Sequence, residues 1–297
     1  MVKVRIPATT ANLGCGFDTF GLALGYYNYI EMELAENTWV TVKGQGQQRL
    51  AKGANNMIVR AAARVAERVG VKTGFSLQAE NNIPLSRGMG SSSAAIVGGM
   101  YAANYLLGEP LSIDELFEMA VEMEGHPDNV APAIYGGFTI SYKRDGKYGC
   151  RKLEAPKRLT TVLAVPEVTV STKAARGILP QEVSLADAVY NLGQAAMLAT
   201  SVATGDLEAF GASLTDKLHQ PYRMQLIPGA EQVMENAVKA GAVGAAISGS
   251  GSTMIAFCNG RERQQAVAAA MREAFTQNDV EARIIFAGVD NCGVKAI

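Results

Sequence analysis

The chain has 297 residues, a formal charge of −1, 48% hydrophobic and 19% charged residues, an ordinary globular balance on a length that favours two domains. The charges are interspersed, so no basic surface invites nucleic acid, and no apolar run reaches the roughly 18 residues of a membrane span. Four scattered cysteines, two histidines and a start (MVKVRIP) that turns polar at once argue against a His/Cys metal cluster and a signal peptide, and favour a reduced, cytoplasmic setting.

In chain order, residues 2–6 alternate and predict a strand. Residues 29–34 and 39–43 read as a hairpin around Glu36-Asn37. Apolar spacing at Ile58, Ala62, Val65 and Val69 predicts a helix over 56–69, stopped by Gly70. A strand over 75–83 runs into a glycine- and serine-rich loop, and a small-residue helix over 94–107 leaves it. The capping box Ser112-x-x-Glu115 starts a helix that runs to 124, and 136–142 returns to strand. The polar stretch 143–158 is taken as the boundary between domains 1–155 and 156–297.

Beyond it, 160–165 predicts a strand, 185–203 a long alanine-rich helix, and 206–218 a second candidate helix. A helix over 230–240 ends at Gly241. Strands at 243–247 and 253–258 flank the turn SGSGS, and a helix over 261–276 and a strand over 282–286 follow. Helices interleaved with hairpins favour an α+β fold over a doubly wound parallel sheet.

The stretch PLSRGMGSSSAA, residues 84–95, is the most informative. Glycine lets backbone N–H groups approach a ligand, and a helix N-terminus adds unpaired donors and partial positive charge. Ser91, Ser92 and Ser93 add hydroxyls for phosphate oxygens or a metal ion. A phosphate cradle and a plain serine-capped turn fit this spacing about equally. Neither G-x-x-x-x-G-K-[ST] nor G-x-G-x-x-G is present, so backbone donors, hydroxyls and a metal would have to replace the lysine.

Four further clusters stand out. PATTANLGCGFD (7–18) sets Thr9, Thr10, Asn12 and Asp18 among glycines and a proline, a pattern that a side-chain-capped turn also explains. EMEGHPDNVAP (122–132) brings Glu122, Glu124, His126, Asp128 and Asn129 to a helix end, either a hard-cation site or a charged turn. STKAARGILP (171–180) puts Thr172 and Arg176 on one helical face, and HQPYRMQLIP (219–228) holds Arg223 between prolines. Each arginine can fork onto a carboxylate or phosphate, or make an ordinary surface ion pair.

Together these clusters resemble the GHMP kinases, the family acting on galactose, homoserine, mevalonate and phosphomevalonate. The family loop P-x-x-x-G-L-G-S-S-x-A corresponds to Pro84-Leu85-Ser86-Arg87-Gly88-Met89-Gly90-Ser91-Ser92-Ser93-Ala94, with Met89 in place of leucine and Ser93 where alanine is common. ANLGCGFD, DNVAPAIYGG, STKAARGILP, QPYR and LIPG are similar to the branch that phosphorylates homoserine.

The resemblance implies an N-terminal domain of the ribosomal-protein domain-2-like type with a left-handed crossover. A ferredoxin-like C-terminal domain would follow, with the site between them. It implies ATP and Mg²⁺, L-homoserine as the small-molecule substrate, and a homodimer. The loop 84–94 and Asn56 would serve the nucleotide, and Ser92 (or Ser91) with Glu122 the metal. Asn12, Asp18, His126, Asn129, Thr172, Arg176 and Arg223 would serve the substrate. Asp18, Asp128 and Asn129 are the candidates for a catalytic part, and no lysine in 7–18 is there to act with a base. Transfer mainly by positioning and electrostatics is therefore expected. The alternatives are a mevalonate- or shikimate-type kinase and a non-catalytic sensor of the same fold. A serine hydrolase lacks its G-x-S-x-G.

Overall fold

Two sheets organise the chain in the computed structural model, which describes residues 1–297. In the first, β1 (Val2–Ala11) runs antiparallel to β2 (Phe20–Ala35). Then β3 (Trp39–Gly44), α1 (Met57–Arg68) and β4 (Gly74–Asn81) make a parallel crossover, with β4 lying between β2 and β3. The expected hairpin of 29–34 with 39–43 therefore does not form. Nothing at Glu36-Asn37 supplies the positive φ pair of a tight hairpin turn, and α1 needs a parallel return to lay its apolar face on the sheet.

The long helix α2 (Ser91–Leu106) is buried along most of its length. A Cβ on Gly98 would meet Ile6 and Ile30, and one on Gly99 would meet the Ile58 carbonyl. Those glycines let α2 lie against both the sheet and α1. Next come α3 (Ile113–Glu124), with the predicted capping box, and α4 (Val130–Tyr135). The polar stretch 143–158 includes most of a hairpin of this first sheet, β5 (Phe138–Arg144) and β6 (Lys147–Leu153), and the link 154–158 to the second sheet. Its polarity reflects an exposed edge.

The second sheet begins with β7 (Leu159–Pro166). It is followed by α5 (Thr172–Gly177), α6 (Leu185–Thr204), α7 (Leu207–Ala212), α8 (Gln220–Arg223) and α9 (Ala230–Lys239). The hairpin β8 (Gly244–Ile247)–β9 (Met254–Asn259), α10 (Gln264–Thr276) and β10 (Ala282–Gly288) complete it. The order β10-β7-β9-β8, antiparallel throughout, is that of a ferredoxin-like unit. Helix α7 stops well short of residue 218 because the Asp216 carboxylate starts a new turn, accepting from the N–H groups of Leu218, His219 and Gln220.

Side chains alternate across β7. Val162 and Ala164 face the core under α9 and α10, whereas Leu159, Leu163 and Val165 join the larger core of the first sheet. The last strand, β11 (Lys295–Ala296), returns to pair with β1. The chain thus re-enters the first sheet after β10, and the clusters singled out in the sequence meet between the two sheets. No helix is long and apolar enough to cross a membrane.

Candidate active site

A cavity of about 560 Å³ opens where the sheets meet. Its lining includes all seven expected substrate residues: Asn12, Asp18, His126, Asn129, Thr172, Arg176 and Arg223. Asp128, Asn56 and Leu85, Ser86, Arg87, Gly88, Gly90, Ser91 and Ser92 of the loop line it too. Pro84, Met89, Ser93 and Ala94 lie behind the surface and are buried.

The loop is clamped from two sides. Thr9 of β1 donates its N–H to Met89 O at 3.2 Å. From the β8–β9 turn, Ser248 Oγ donates to Gly88 O at 2.6 Å and Thr253 N–H to Arg87 O at 3.2 Å. Gly90 precedes α2 with φ 69°, and a Cβ there would overlap Thr9 Oγ1. No side chain caps α2, so the N–H groups of Ser91–Ser93 have no intrahelical partner and form an anion-binding terminus. Asn56 caps α1 through Ile58 N–H and donates to Ala51 O, so its amide shapes the cavity wall.

Glu122 is not at this terminus. It is exposed on α3 and does not line the cavity. Glu124 takes its place, accepting from Ser92 Oγ and Ser93 Oγ, each at 2.8 Å. The helical repeat separates two residues two apart by about 200°. Leu116, Phe117, Ala120 and Val121 form the buried face of α3, and Glu124 continues that face, whereas Glu115, Glu118 and Glu122 mark the opposite one.

Asp18 and Arg176 make a bidentate pair at 2.7 and 2.8 Å. Asp18 (φ 54°), Asn12 (φ 70°) and Leu13 (φ 45°) hold left-handed backbone in one turn, a concentration of strain of the kind found at ligand sites. The turn is braced by Asn12, which accepts from Asp18 N–H and donates to Gly249 O. Asn129 accepts from Thr9 Oγ1 and donates to Asp128 Oδ1. Each asparagine keeps one donor and one acceptor position for a ligand.

His126 Nδ1 lies 2.6 Å from Asp128 Oδ1. Burial pushes the His126 imidazolium down, but the hydrogen bond and charge of Asp128, with Glu124 behind them, outweigh it and raise the pKa above 6.5.

Arg223 is 2% exposed, and no carboxylate lies within salt-bridge distance of it. Its donors go to Ala175 O, Gly249 O and His219 Nδ1. Burial, and then the neighbouring Arg176, push its pKa down. His219 Nε2–H donates to Gly14 O at 2.7 Å. Burial, with Arg223 adding to it, holds His219 below 6.5 and neutral, against the pull of Asp216. The Phe17 ring stacks on His219 and carries both guanidinium groups within 5.5 Å of its centroid.

Phe17, His219 and Gly249 are given no role by the sequence, and Thr9 is read there only as part of the 7–18 turn. They support cavity residues from neighbouring loops, and only Glu124 left a readable periodic signal. Asn28, Arg49, Asn55 and Asn81 also line the cavity, and their separation along the chain hid them.

Profiles of the GHMP kinases N terminal domain and GHMP kinases C terminal domain match residues 56–137 and 197–277. The chain is 46% identical over 285 residues to a homoserine kinase of Moorella thermoacetica, covering 96% of each chain. It is 44% identical to one of Carboxydothermus hydrogenoformans, covering 96% of this chain and 93% of the relative. The crystal structure of homoserine kinase from Cytophaga hutchinsonii superposes with a TM-score of 0.91 at 34% identity, over 100% of this chain and 97% of that one. The crystal structure of L. major mevalonate kinase in complex with R-mevalonate shows the same fold at 16% identity and a TM-score of 0.74, over 97% and 96% of the two chains.

Proposed function

The chain belongs to the GHMP kinase family of ATP-dependent small-molecule kinases, and from that membership we propose that it transfers the γ-phosphoryl group of ATP to the side-chain hydroxyl of L-homoserine. The product is O-phospho-L-homoserine, a step of threonine biosynthesis. The observation that carries the choice of acceptor is Arg223, a buried guanidinium facing the cavity without a carboxylate partner. A buried unpaired cation is costly, and an anion supplied by the ligand offsets that cost.

Asp18 and Arg176 beside it extend the match. The acceptor's carboxylate joins Arg176 and Arg223, and its ammonium takes the side of Asp18, so that the zwitterion replaces the internal ion pair. Thr172, His126, Asn12 and Asn129 line the same cavity and fix the remaining hydroxyl. Holding both charged ends of a short substrate converts its attack into an oriented, effectively unimolecular step.

On the donor side, the bare first turn of α2 and the amides of Gly88–Ser93 suit the triphosphate. The hydroxyls of Ser92 and Ser93 with the Glu124 carboxylate form an all-oxygen donor set that fits Mg²⁺, which takes few protein ligands and completes its shell with water and phosphate. Ser92 and Glu124 are its proposed holders, and the ion would neutralise charge on the β- and γ-phosphates. Asp128 Oδ1 already receives His126 and Asn129, which supports transfer by positioning and electrostatics, with the hydroxyl proton leaving to phosphate.

A coupled ADP-release assay tests the reading with L-homoserine, mevalonate and no acceptor in separate arms. Turnover with homoserine well above the other two is expected. Turnover with mevalonate alone would reject the acceptor assignment, and equal ADP release in all three arms would reject acceptor phosphorylation.

A further inference from the structure

We propose that Arg87, although it belongs to the phosphate loop, is a positioning residue for the acceptor: its guanidinium fixes the strap 166–171 that delivers Thr172 and Arg176 to the cavity. The inference rests on the kinase reading above and extends it to a link between the two substrates.

With no lysine in the loop, Arg87 is the cation that the sequence offers to the triphosphate. The structure uses it otherwise. Nε donates to Pro166 O at 3.0 Å, NH2 to Glu167 O at 2.8 Å and NH1 to Thr169 Oγ1 at 2.7 Å. NH1 also reaches the loop's own Ser86 O at 3.3 Å. Four of the five N–H donors of a guanidinium are thereby engaged, and no carboxylate lies within salt-bridge distance. Chelation of a phosphate by this fork would require giving up the strap.

The strap needs such an anchor. Residues 167–171 belong to no helix or strand, and α5 beyond them is six residues long with Ala175 its only buried side chain. Apart from Arg87, the strap's hydrogen bonds to the rest of the protein are Glu167 N–H to Glu281 O and Ser252 Oγ to Val168 O, and Val170 is buried in the second core. Yet Val170, Ser171, Thr172 and Arg176 all line the cavity, and Arg176 holds Asp18. The main chain of Arg87 is itself held by Thr253 N–H at its carbonyl. Arg87 therefore links the nucleotide loop directly to the strap that carries groups proposed to grip the acceptor.

Steady-state kinetics of Arg87→Ala and Thr169→Val, with ATP and L-homoserine varied separately, test the link. For Arg87→Ala, KM for homoserine is expected to rise about tenfold or more, the scale of lost hydrogen bonds from a charged donor. KM for ATP is expected to stay within about threefold, because the interaction removed is not made with the nucleotide. Thr169→Val removes one acceptor from outside the loop and should shift homoserine KM in the same direction by less. Combining the two should cost no more than Arg87→Ala alone, the non-additivity of a shared interaction.

A rise in ATP KM with homoserine KM unchanged would make Arg87 a phosphate ligand and overturn the proposal. So would additive effects, or no effect of either variant. If Arg87→Ala fails to fold, Thr169→Val decides alone, and an unchanged homoserine KM rejects the link. Turnover of homoserine by the unsubstituted protein separates the two levels: without it both readings fall, and with it only this one is at stake.

Discussion

Asp18→Asn separates recognition of the acceptor's ammonium from maintenance of the fold. The substitution keeps the shape and removes one charge from the pair with Arg176. Those side chains are 34% and 38% exposed, so solvent screens the pair and its contribution to stability is at most about 1 kcal/mol. In the proposed homoserine complex the same carboxylate would face an ammonium, and a charge-assisted hydrogen bond there is worth about 1.5–3 kcal/mol.

Asp18→Asn should therefore lower kcat/KM for L-homoserine by roughly ten- to a hundredfold, with little change in melting temperature. Freeing Arg176 also strengthens its hold on any carboxylate, which affects every acceptor alike and cancels in a ratio. The decisive quantity is thus the preference for homoserine over its amine-free analogue γ-hydroxybutyrate, measured by coupled ADP release. The preference should be large in the unsubstituted protein and nearly lost in Asp18→Asn. An unchanged preference would refute the role of Asp18, and a loss of more than about 3 kcal/mol in unfolding free energy would show a buried structural pair instead.

Glu124→Gln should lower kcat at least about tenfold and raise the Mg²⁺ concentration needed for half-maximal rate, while Glu122→Gln should stay within about twofold; a magnesium titration of both variants distinguishes them. Gly90→Ala forces a left-handed alanine against Thr9, costing at least about 1–2 kcal/mol in urea unfolding and raising KM for ATP. His219 is held below its ordinary 6.5 by burial, so the unfolded chain takes up the proton first. Stability from this group is complete above 6.5 and is lost as pH falls towards the depressed value. His126, raised by its carboxylates, contributes in the opposite sense, below 6.5. Thermal melts between about pH 7.5 and pH 5.5 should show His219→Asn less stable at the upper value and less acid-sensitive than the unsubstituted protein; an unaltered slope would place the linkage elsewhere.

The parts of the site legible in the sequence are those built by contiguous residues. The loop 84–95, the turn 7–18 and the segments around Arg176 and Arg223 each carry their own local signal, and all converge on one cavity. The position of Glu124 beside the loop serines was also legible. The buried face of α3 runs Phe117, Ala120, Val121 and then Glu124, so helical period alone separates Glu124 from Glu122.

What was hidden depended on pairing between distant segments. Insertion of β4 beside β2 follows from the return of α1 to the sheet, and no turn residue announces it. The return of β11 to β1 is encoded in two residues. The work of Arg87 was invisible for another reason: its partners are three main-chain carbonyls and one hydroxyl, which no residue type advertises.

The central claim is that one cavity holds a triphosphate at the bare first turn of α2 and an amino-acid alcohol against two guanidinium groups. A crystal structure with a non-hydrolysable ATP analogue, Mg²⁺ and L-homoserine tests it most directly. The γ-phosphate is expected beside Ser91 and Ser92, the metal on Glu124, and the homoserine carboxylate between Arg176 and Arg223 with its hydroxyl towards the phosphate. Homoserine bound away from both arginines, or phosphates bound away from the α2 terminus, would contradict it.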